Sequence, residues 1–283
     1  MYSVMNEFIF ARPAQFDLAK IFDCGQSFRF APCTFSDTVS VGCAFEGVAY
    51  GRYLCVSQQA DTVTARYTGT RDDAFVLRYF DIQTDYDAVL QTFCGDPVLM
   101  RAAKLSHGIR ILRQEPWEAL CSFIISQNNN IPRIGKIIRT LSETYGEIVY
   151  TSETGQPFYT FPTAQALKKA GTDALYALKT GFRAGYLYDA ARTVSENPFF
   201  LTETAGLTTP EAAEKLKQIK GVGNKVAACT LLFGFARHDA FPVDVWVKRV
   251  LEEYYPDGLT PPLSGPYAGI AQQILFYRRR YTE

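Results

Sequence analysis

The chain has 283 residues, 47% of them hydrophobic and 20% charged, with 29 lysines and arginines balancing 29 acidic residues. That length holds one large or two smaller domains with a sizeable core, and the composition is that of an ordinary globular protein. No apolar run is long enough to span a membrane, and the start MYSVMNEFIF lacks the basic stretch and cleavage site of a secretory signal.

Seven scattered cysteines (24, 33, 43, 55, 94, 121, 229) with no C-x-x-C suit reduced thiols in a cytosol, not a disulfide framework or a zinc ribbon. The zero net charge hides an asymmetry. Residues 1–100 carry 7 basic against 12 acidic side chains, a balance of −5, and the remainder carries 22 against 17, a balance of +5. The second part therefore has a modest attraction for phosphate.

Residues 26–67 are rich in aromatic and β-branched side chains that alternate along the chain. Val41, Cys43 and Phe45, then Tyr53 and Cys55, then Val63, Ala65 and Tyr67 mark antiparallel strands, with turns expected at Glu46-Gly47 and Ala60-Asp61. From about residue 84 the pattern becomes helical. Between Glu115 and Ser126, the residues Trp117, Leu120, Cys121, Ile124 and Ile125 form one stripe. Three adjacent amides follow, Asn128, Asn129 and Asn130. They are costly unless each finds partners, and C-capping accounts for one of them. Gly/Pro punctuation at 154–162 and 256–266 marks loops.

Glu211 to Ile219 has helical apolar spacing, with Pro210 in the first turn and Thr209 as the expected N-cap. Gly221 and Gly223 bracket Val222, and a second apolar helix starts near Asn224. Such a hairpin serves either as a simple helix-helix turn or as a grip on phosphate through amides at the new helix N-terminus. Lys225 lies in the first turn of an apolar helix. It either extends its head to water or sits partly desolvated, which favours the neutral amine that acts as a nucleophile. Asp244, in the run Pro242-Val243-Asp244-Val245, reads as an N-cap, a functional acid, or both. A fixed carboxylate stabilises oxocarbenium character when a glycosidic bond breaks. The fold class expected is α+β: a small β-rich domain over 1–106, then a helical domain over 107–283 that carries the chemistry.

The stretch LKQIKGVGNKVAACTLLFGFARHDAFPVDVWV, from 216 to 247, resembles the helix-hairpin-helix DNA glycosylase superfamily, and within it the 8-oxoguanine DNA glycosylases of the eukaryotic type. CGQSFRF at 24–30 resembles that family's SGQSFRW. ISQNNNIPRI, closing the block 108–134, resembles its SSNNNIARI, and GIAQQILF at 269–276 resembles its base-pocket helix. The resemblance implies a twisted antiparallel N-terminal sheet and a site between the domains. It also implies a bifunctional enzyme that removes 8-oxoguanine from duplex DNA, with cytosine opposite, and then cleaves the abasic strand. Lys225 would be the Schiff-base nucleophile and Asp244 the carboxylate that stabilises the sugar cation.

By the same resemblance the Gly25 carbonyl accepts the N7 hydrogen of the lesion, and Gln272 reads the Watson–Crick edge. Phe276 and Cys229 would face the two sides of the base. Asn128 fills the vacated stack, Arg133 and Arg183 read the orphaned cytosine, and Phe182 takes the place of a wedging tyrosine. Gly221 and Gly223 contact the backbone. Trp246 stands near a phosphate where animal members have histidine, and Arg279 replaces an acidic residue. No metal or organic cofactor is implied, although hairpin carbonyls are compatible with a monovalent cation. The expected partner is double-stranded DNA containing 8-oxoguanine, bound by a monomer without a membrane. The expected setting is cytoplasmic, at the nucleoid in a bacterium or in the nucleus of a eukaryote. Within the superfamily, a glycosylase for another damaged base is the alternative. Enzymes with a C-terminal four-cysteine iron–sulfur loop are disfavoured, since no cysteine follows Cys229. A lesion-binding module without catalysis is a further alternative, but it would need neither Lys225 nor Asp244.

Overall fold

A computed structural model describes residues 5–34 and 43–282. Five antiparallel strands form the N-terminal sheet: β1 (Met5–Ala11), β2 (Ala31–Pro32), β3 (Cys43–Ala49), β4 (Arg52–Gln58) and β5 (Thr62–Thr68), in the order β1-β5-β4-β3-β2. Between β1 and β2 runs the short helix α1 (Leu18–Asp23), and α2 (Asp73–Tyr79) follows β5. Val41, one of the expected strand positions, lies outside the described residues. Strand β1 was not anticipated. Its Phe8 and Phe10 only partly bury themselves against the sheet core while the alternate residues face solvent.

Glu46-Gly47 is not a turn; both residues lie within β3, and the β3–β4 turn is Tyr50-Gly51, with φ of 51° and 67°. Such left-handed pairs match the twist of a tight hairpin. Gly47 instead admits a close backbone, since a Cβ there would come within 2.6 Å of the Arg29 carbonyl oxygen. In β4 the residues facing the sheet core are Leu54 and Val56, paired with Tyr67 and Ala65, whereas Tyr53 and Cys55 point to the other face. That second face is buried too. Tyr53 packs on Tyr150 and Phe158, with ring centroids 4.2 and 4.7 Å away, from a hairpin of β6 (Ile148–Thr151) and β7 (Pro157–Tyr159). The 154–162 stretch is therefore partly strand, and 256–266 likewise contains a helical turn.

The rest is helical. In chain order come α3 (Tyr86–Gln91), α4 (Pro97–Leu105), α5 (Pro116–Ile125), α6 (Ile131–Tyr145), α7 (Ala164–Leu175), α8 (Arg183–Glu196), α9 (Phe200–Ala205) and α10 (Thr209–Leu216). They are followed by α11 (Asn224–Gly234), α12 (Val245–Tyr254), α13 (Pro261–Ser264) and α14 (Ala268–Thr282). Helix α5 is buried from Trp117 to Ile125 except at Glu118, because α11 and α8 pack on it. Its apolar surface therefore extends well beyond the expected stripe. Thr208, not Thr209, is the N-cap of α10, and the Glu211 carboxylate accepts from both its amide and its hydroxyl. Among the described residues no helix is long and apolar enough to cross a membrane.

The two cores meet at a polar seam. Arg110 is 2% exposed, donates to the carbonyls of Gln15, Phe80 and Thr84, and lies over the Tyr86 ring. The fully buried Asp81 carboxylate accepts from Thr84, Tyr86 and Arg113, and His238 Nε2 approaches it at 3.3 Å. Burial raises the Asp81 carboxyl, but the His238 and Arg113 contacts outweigh burial and hold it below its ordinary value. A depressed carboxyl stabilises the fold above its unfolded value and loses that contribution as pH falls through the folded one. Asp81→Asn is expected to cost about 3 kcal/mol at pH 7. In urea titrations the gap from wild type should close on acidification below about pH 4.

Candidate active site

Helix α11 begins at the hairpin. Gly221 has φ of +84°, and a Cβ there would overlap the Tyr186 ring at 2.2 Å, so the turn needs glycine both for its backbone angle and for its packing. Gly223 differs: a Cβ would meet nothing within 4 Å, leaving the N-terminus of α11 open to solvent and to anions. Two residues into α11, the half-buried Lys225 turns back toward α5. Its Nζ donates to Ser126 Oγ at 2.8 Å and lies 5.2 Å from the centroid of the Phe123 ring. Ser126 in turn donates to the Phe123 carbonyl at 2.8 Å, which commits its proton and leaves its lone pairs for the amine.

Asp244 is the N-cap of α12, and Oδ1 accepts from the amides of Trp246 and Val247 at 3.0 and 2.8 Å. Both valines beside it are exposed, Val243 at 42% and Val245 at 67%, so the apolar run seen in the sequence borders solvent and not the core. The carboxylate is fixed yet reachable from a pocket of about 340 Å³, open mouth included. That pocket gathers Lys225, Asp244, Gly25, Cys229, Gln272 and Phe276, which come from four separate parts of the sequence.

Gly25 (φ +75°) faces the Phe276 ring, and a Cβ there would come within 3.4 Å of it and 3.2 Å of Ile131. Gln272 is 4% exposed, and its Oε1 is buried without a hydrogen-bond partner. Burial pushes the Cys229 thiol up; Lys225 opposes that rise and Asp244 adds to it, so the sulfur is a neutral wall. Among the described residues no group of three or more His, Cys, Asp or Glu side chains is placed to hold a metal.

Sequence reasoning missed three residues that shape this pocket. Gln273 is buried, and its Nε2 donates to the Cys24 carbonyl at 2.6 Å. Gln26 is fully buried: its side chain donates to the carbonyls of Ile21 and Arg110 and accepts the amide of Leu112, while Gln114 donates to its carbonyl. Gly25 is thus held on both sides. Ser126, third of the missed residues, stands two positions before the asparagines. The doubled glutamine of AQQILF was the one available signal for Gln273.

The expected DNA-facing residues lie outside the pocket. Asn129 donates to the Ile125 carbonyl and closes α5, and the Asn130 side chain accepts the Arg133 amide and opens α6. Capping thus accounts for two of the three amides. Asn128 caps neither helix and is exposed, at φ +46°. Arg133 is exposed on α6. Arg183 is 2% exposed and donates to the carbonyls of Gln127, Asn128 and Thr180. In this conformation it holds the asparagine loop and offers no free edge to a base. Phe182 is 53% exposed, stacked edge-on to Tyr186 and beneath the Arg183 guanidinium. Trp246 is half-buried under Arg249. The Arg279 departure is matched locally, since Arg279 bonds Glu253 of α12 at 2.5 Å.

Residues 8–120 match the 8-oxoguanine DNA glycosylase N-terminal domain, and residues 121–260 match the HhH-GPD superfamily of base excision DNA repair proteins. An N-glycosylase/DNA lyase of Saccharomyces cerevisiae is 38% identical over 257 residues, which is 84% of this chain and 68% of that protein. The structure of MBOgg1 in complex with a low-affinity DNA ligand superposes with a TM-score of 0.85 at 35% identity, covering 99% of each chain. The Clostridium acetobutylicum 8-oxoguanine glycosylase/lyase, bound to double-stranded DNA containing cytosine opposite 8-oxoG, gives a TM-score of 0.85 at 33% identity. That match covers 99% of this chain and 98% of the other.

Replacing Gln273 by leucine leaves the Cys24 carbonyl buried without a donor. We expect a loss of about 1–3 kcal/mol in urea denaturation, together with faster amide hydrogen exchange in residues 24–27.

Proposed function

The chain belongs to the 8-oxoguanine DNA glycosylase family of the HhH-GPD superfamily, the N-glycosylase/DNA lyases, and on that basis we propose how its own residues carry out the reaction. The substrate is duplex DNA carrying 8-oxoguanine, flipped out of the stack into the pocket. One observation carries the assignment: an amine, a fixed carboxylate, an unpartnered buried amide oxygen and a clamped glycine converge on one small pocket.

Lys225 Nζ attacks the anomeric carbon as the bond to the base breaks, and the bonding pair leaves with the base. Loss of a proton and ring opening give a Schiff base. Removal of a proton from the adjacent sugar carbon then expels the 3′ phosphate by β-elimination. Asp244 needs no reorganisation to stabilise the sugar cation, because two amides already fix its position. The Gly25 carbonyl accepts the N7 hydrogen present on 8-oxoguanine and absent from guanine, which would bring a second acceptor against it. Gln272 Oε1 is free to read the Watson–Crick edge, with Phe276 on one face of the base and Cys229 on the other. Asn128 would fill the gap left in the duplex and Phe182 would wedge beside it. Arg133 is the candidate for direct contact with an opposite cytosine, while Arg183 acts through the loop it holds. Gly221, Gly223 and Trp246 are assigned to the DNA backbone. The steps use only groups of the protein, and a monovalent cation at the hairpin carbonyls would serve only to brace the turn.

Borohydride trapping on a duplex with one 8-oxoguanine opposite cytosine tests the assignment. Lys225→Gln is expected to abolish the covalent adduct while retaining lesion binding, and retained trapping would exclude Lys225 as the nucleophile. Asp244→Asn should slow base release by roughly 10²–10³-fold. Ser126→Ala should slow adduct formation with little change in lesion affinity, and Ser126→Thr should restore it; equal rates in all three proteins would leave Ser126 no part in placing the amine.

A further inference from the structure

The two unusual residues Trp246 and Arg279 meet at a third, Arg249. Its guanidinium lies over the Trp246 ring, 5.3 Å from the centroid, and both residues belong to the first two turns of α12. Arg249 is exposed and has no hydrogen bond or ion pair among the described residues. Two acids of its own helix stand within reach, at i+3 and i+4, and both are engaged elsewhere. Glu252 pairs with Lys248 at 3.6 Å, and Glu253 pairs with Arg279 of α14 at 2.5 Å. Asp244 is committed to the amides of Trp246 and Val247. The arginine on α14 thus takes the carboxylate that would otherwise neutralise Arg249, and the indole gives the guanidinium a flat surface to rest on.

Position matters as much as pairing. Helical side chains lean toward the N-terminus, so Arg249 reaches back along α12 toward Asp244 at the pocket. Val243 and Val245, on either side of Asp244, are exposed there. A nucleotide whose sugar sits between Lys225 and Asp244 carries its own phosphates just outside the mouth, on the lesion strand. Asp244 repels them, and Lys225 gives up its charge in order to act as a nucleophile. An unpaired cation on this rim offsets that repulsion.

We propose that Arg249, presented by Trp246, binds a phosphate of the lesion-bearing strand next to the flipped nucleotide. This contact rests on the assignment of the pocket to that nucleotide. Its ligand is a phosphodiester, held through the paired N–H groups of the guanidinium. Arg279 takes part at one remove, by occupying Glu253.

The test is binding to a duplex whose 8-oxoguanosine carries a 2′-fluorine, which disfavours the sugar cation and so keeps the base attached. Arg249→Ala should bind about tenfold more weakly than wild type in low salt. The slope of log affinity against log salt should become shallower by roughly 0.9, the share of one phosphate. Arg249→Lys should keep the wild-type slope, because the charge remains. Single methylphosphonates around the lesion remove one phosphate charge at a time, and they do so against the unaltered protein. One lesion-strand position should cost wild type about tenfold, and the same position should cost Arg249→Ala nothing further. Equal affinity and slope in wild type and Arg249→Ala would overturn the contact. Loss confined to phosphates of the opposite strand would overturn the strand assignment. A wild-type protein with no preference for the lesion duplex over an undamaged one would instead bring down the assignment of the pocket, and this contact with it.

Discussion

One hydrogen bond joins residues 249 positions apart, from the Gln273 side chain on the last helix to the Cys24 carbonyl beside the first. The pocket depends on it. Gly25 belongs to the N-terminal part of the chain, and Gln272 and Phe276 belong to α14, so nothing local makes them face each other. The bond sets the distance between them, and the Gln26 network on the other side stops the glycine from sliding. Burial of both glutamines gives these bonds their weight, since a broken one leaves a polar group without water to replace it. The polar seam of Arg110 and Asp81 extends the same constraint outward, holding the sheet against the helices that supply the rest of the site.

Within the pocket, helices place the charged groups. Lys225 begins at the N-terminal end of α11 but delivers its amine to the C-terminal end of α5, where Ser126 accepts from it. Asp244 is locked by the first amides of α12. Opposite charges therefore border one small space without either being free to wander. That arrangement suits a reaction in which a cation develops on a sugar held between them. The shared capping role of Asp244 also explains why one residue serves structure and chemistry together: the same two bonds that start the helix hold the carboxylate still.

The outer face follows a different logic. Two of the three asparagines are consumed by helix ends, and Arg183 is consumed by the carbonyls of the loop between them. What remains for a partner is Asn128, in a left-handed conformation that the buried guanidinium stabilises, together with the exposed Arg133 and Phe182. A buried arginine here acts through the shape of a loop. Arg279 shows the same economy, because the reversal of charge on α14 is met by Glu253 on α12.

The sequence by itself determined the division into a β-rich part and a helical part, the hairpin, and the candidates Lys225 and Asp244. Each of these leaves a local trace: alternation with period 2, apolar spacing with period 3.6, or glycines and a charge set in an apolar run. The resemblance over CGQSFRF, ISQNNNIPRI and GIAQQILF added Gly25, Asn128, Gln272 and Phe276. Neither route located the turn at Tyr50-Gly51, because Gly47 looks like a turn residue and is instead a site of close approach. Neither revealed Gln26, Ser126 or Gln273, since a buried amide or hydroxyl is distinguished only by partners far away in the chain. The burial of Arg183 is of the same kind. Tertiary structure alone decided them, because a hydrogen bond between distant residues depends on where two backbones arrive in space, and no local pattern of residues encodes that.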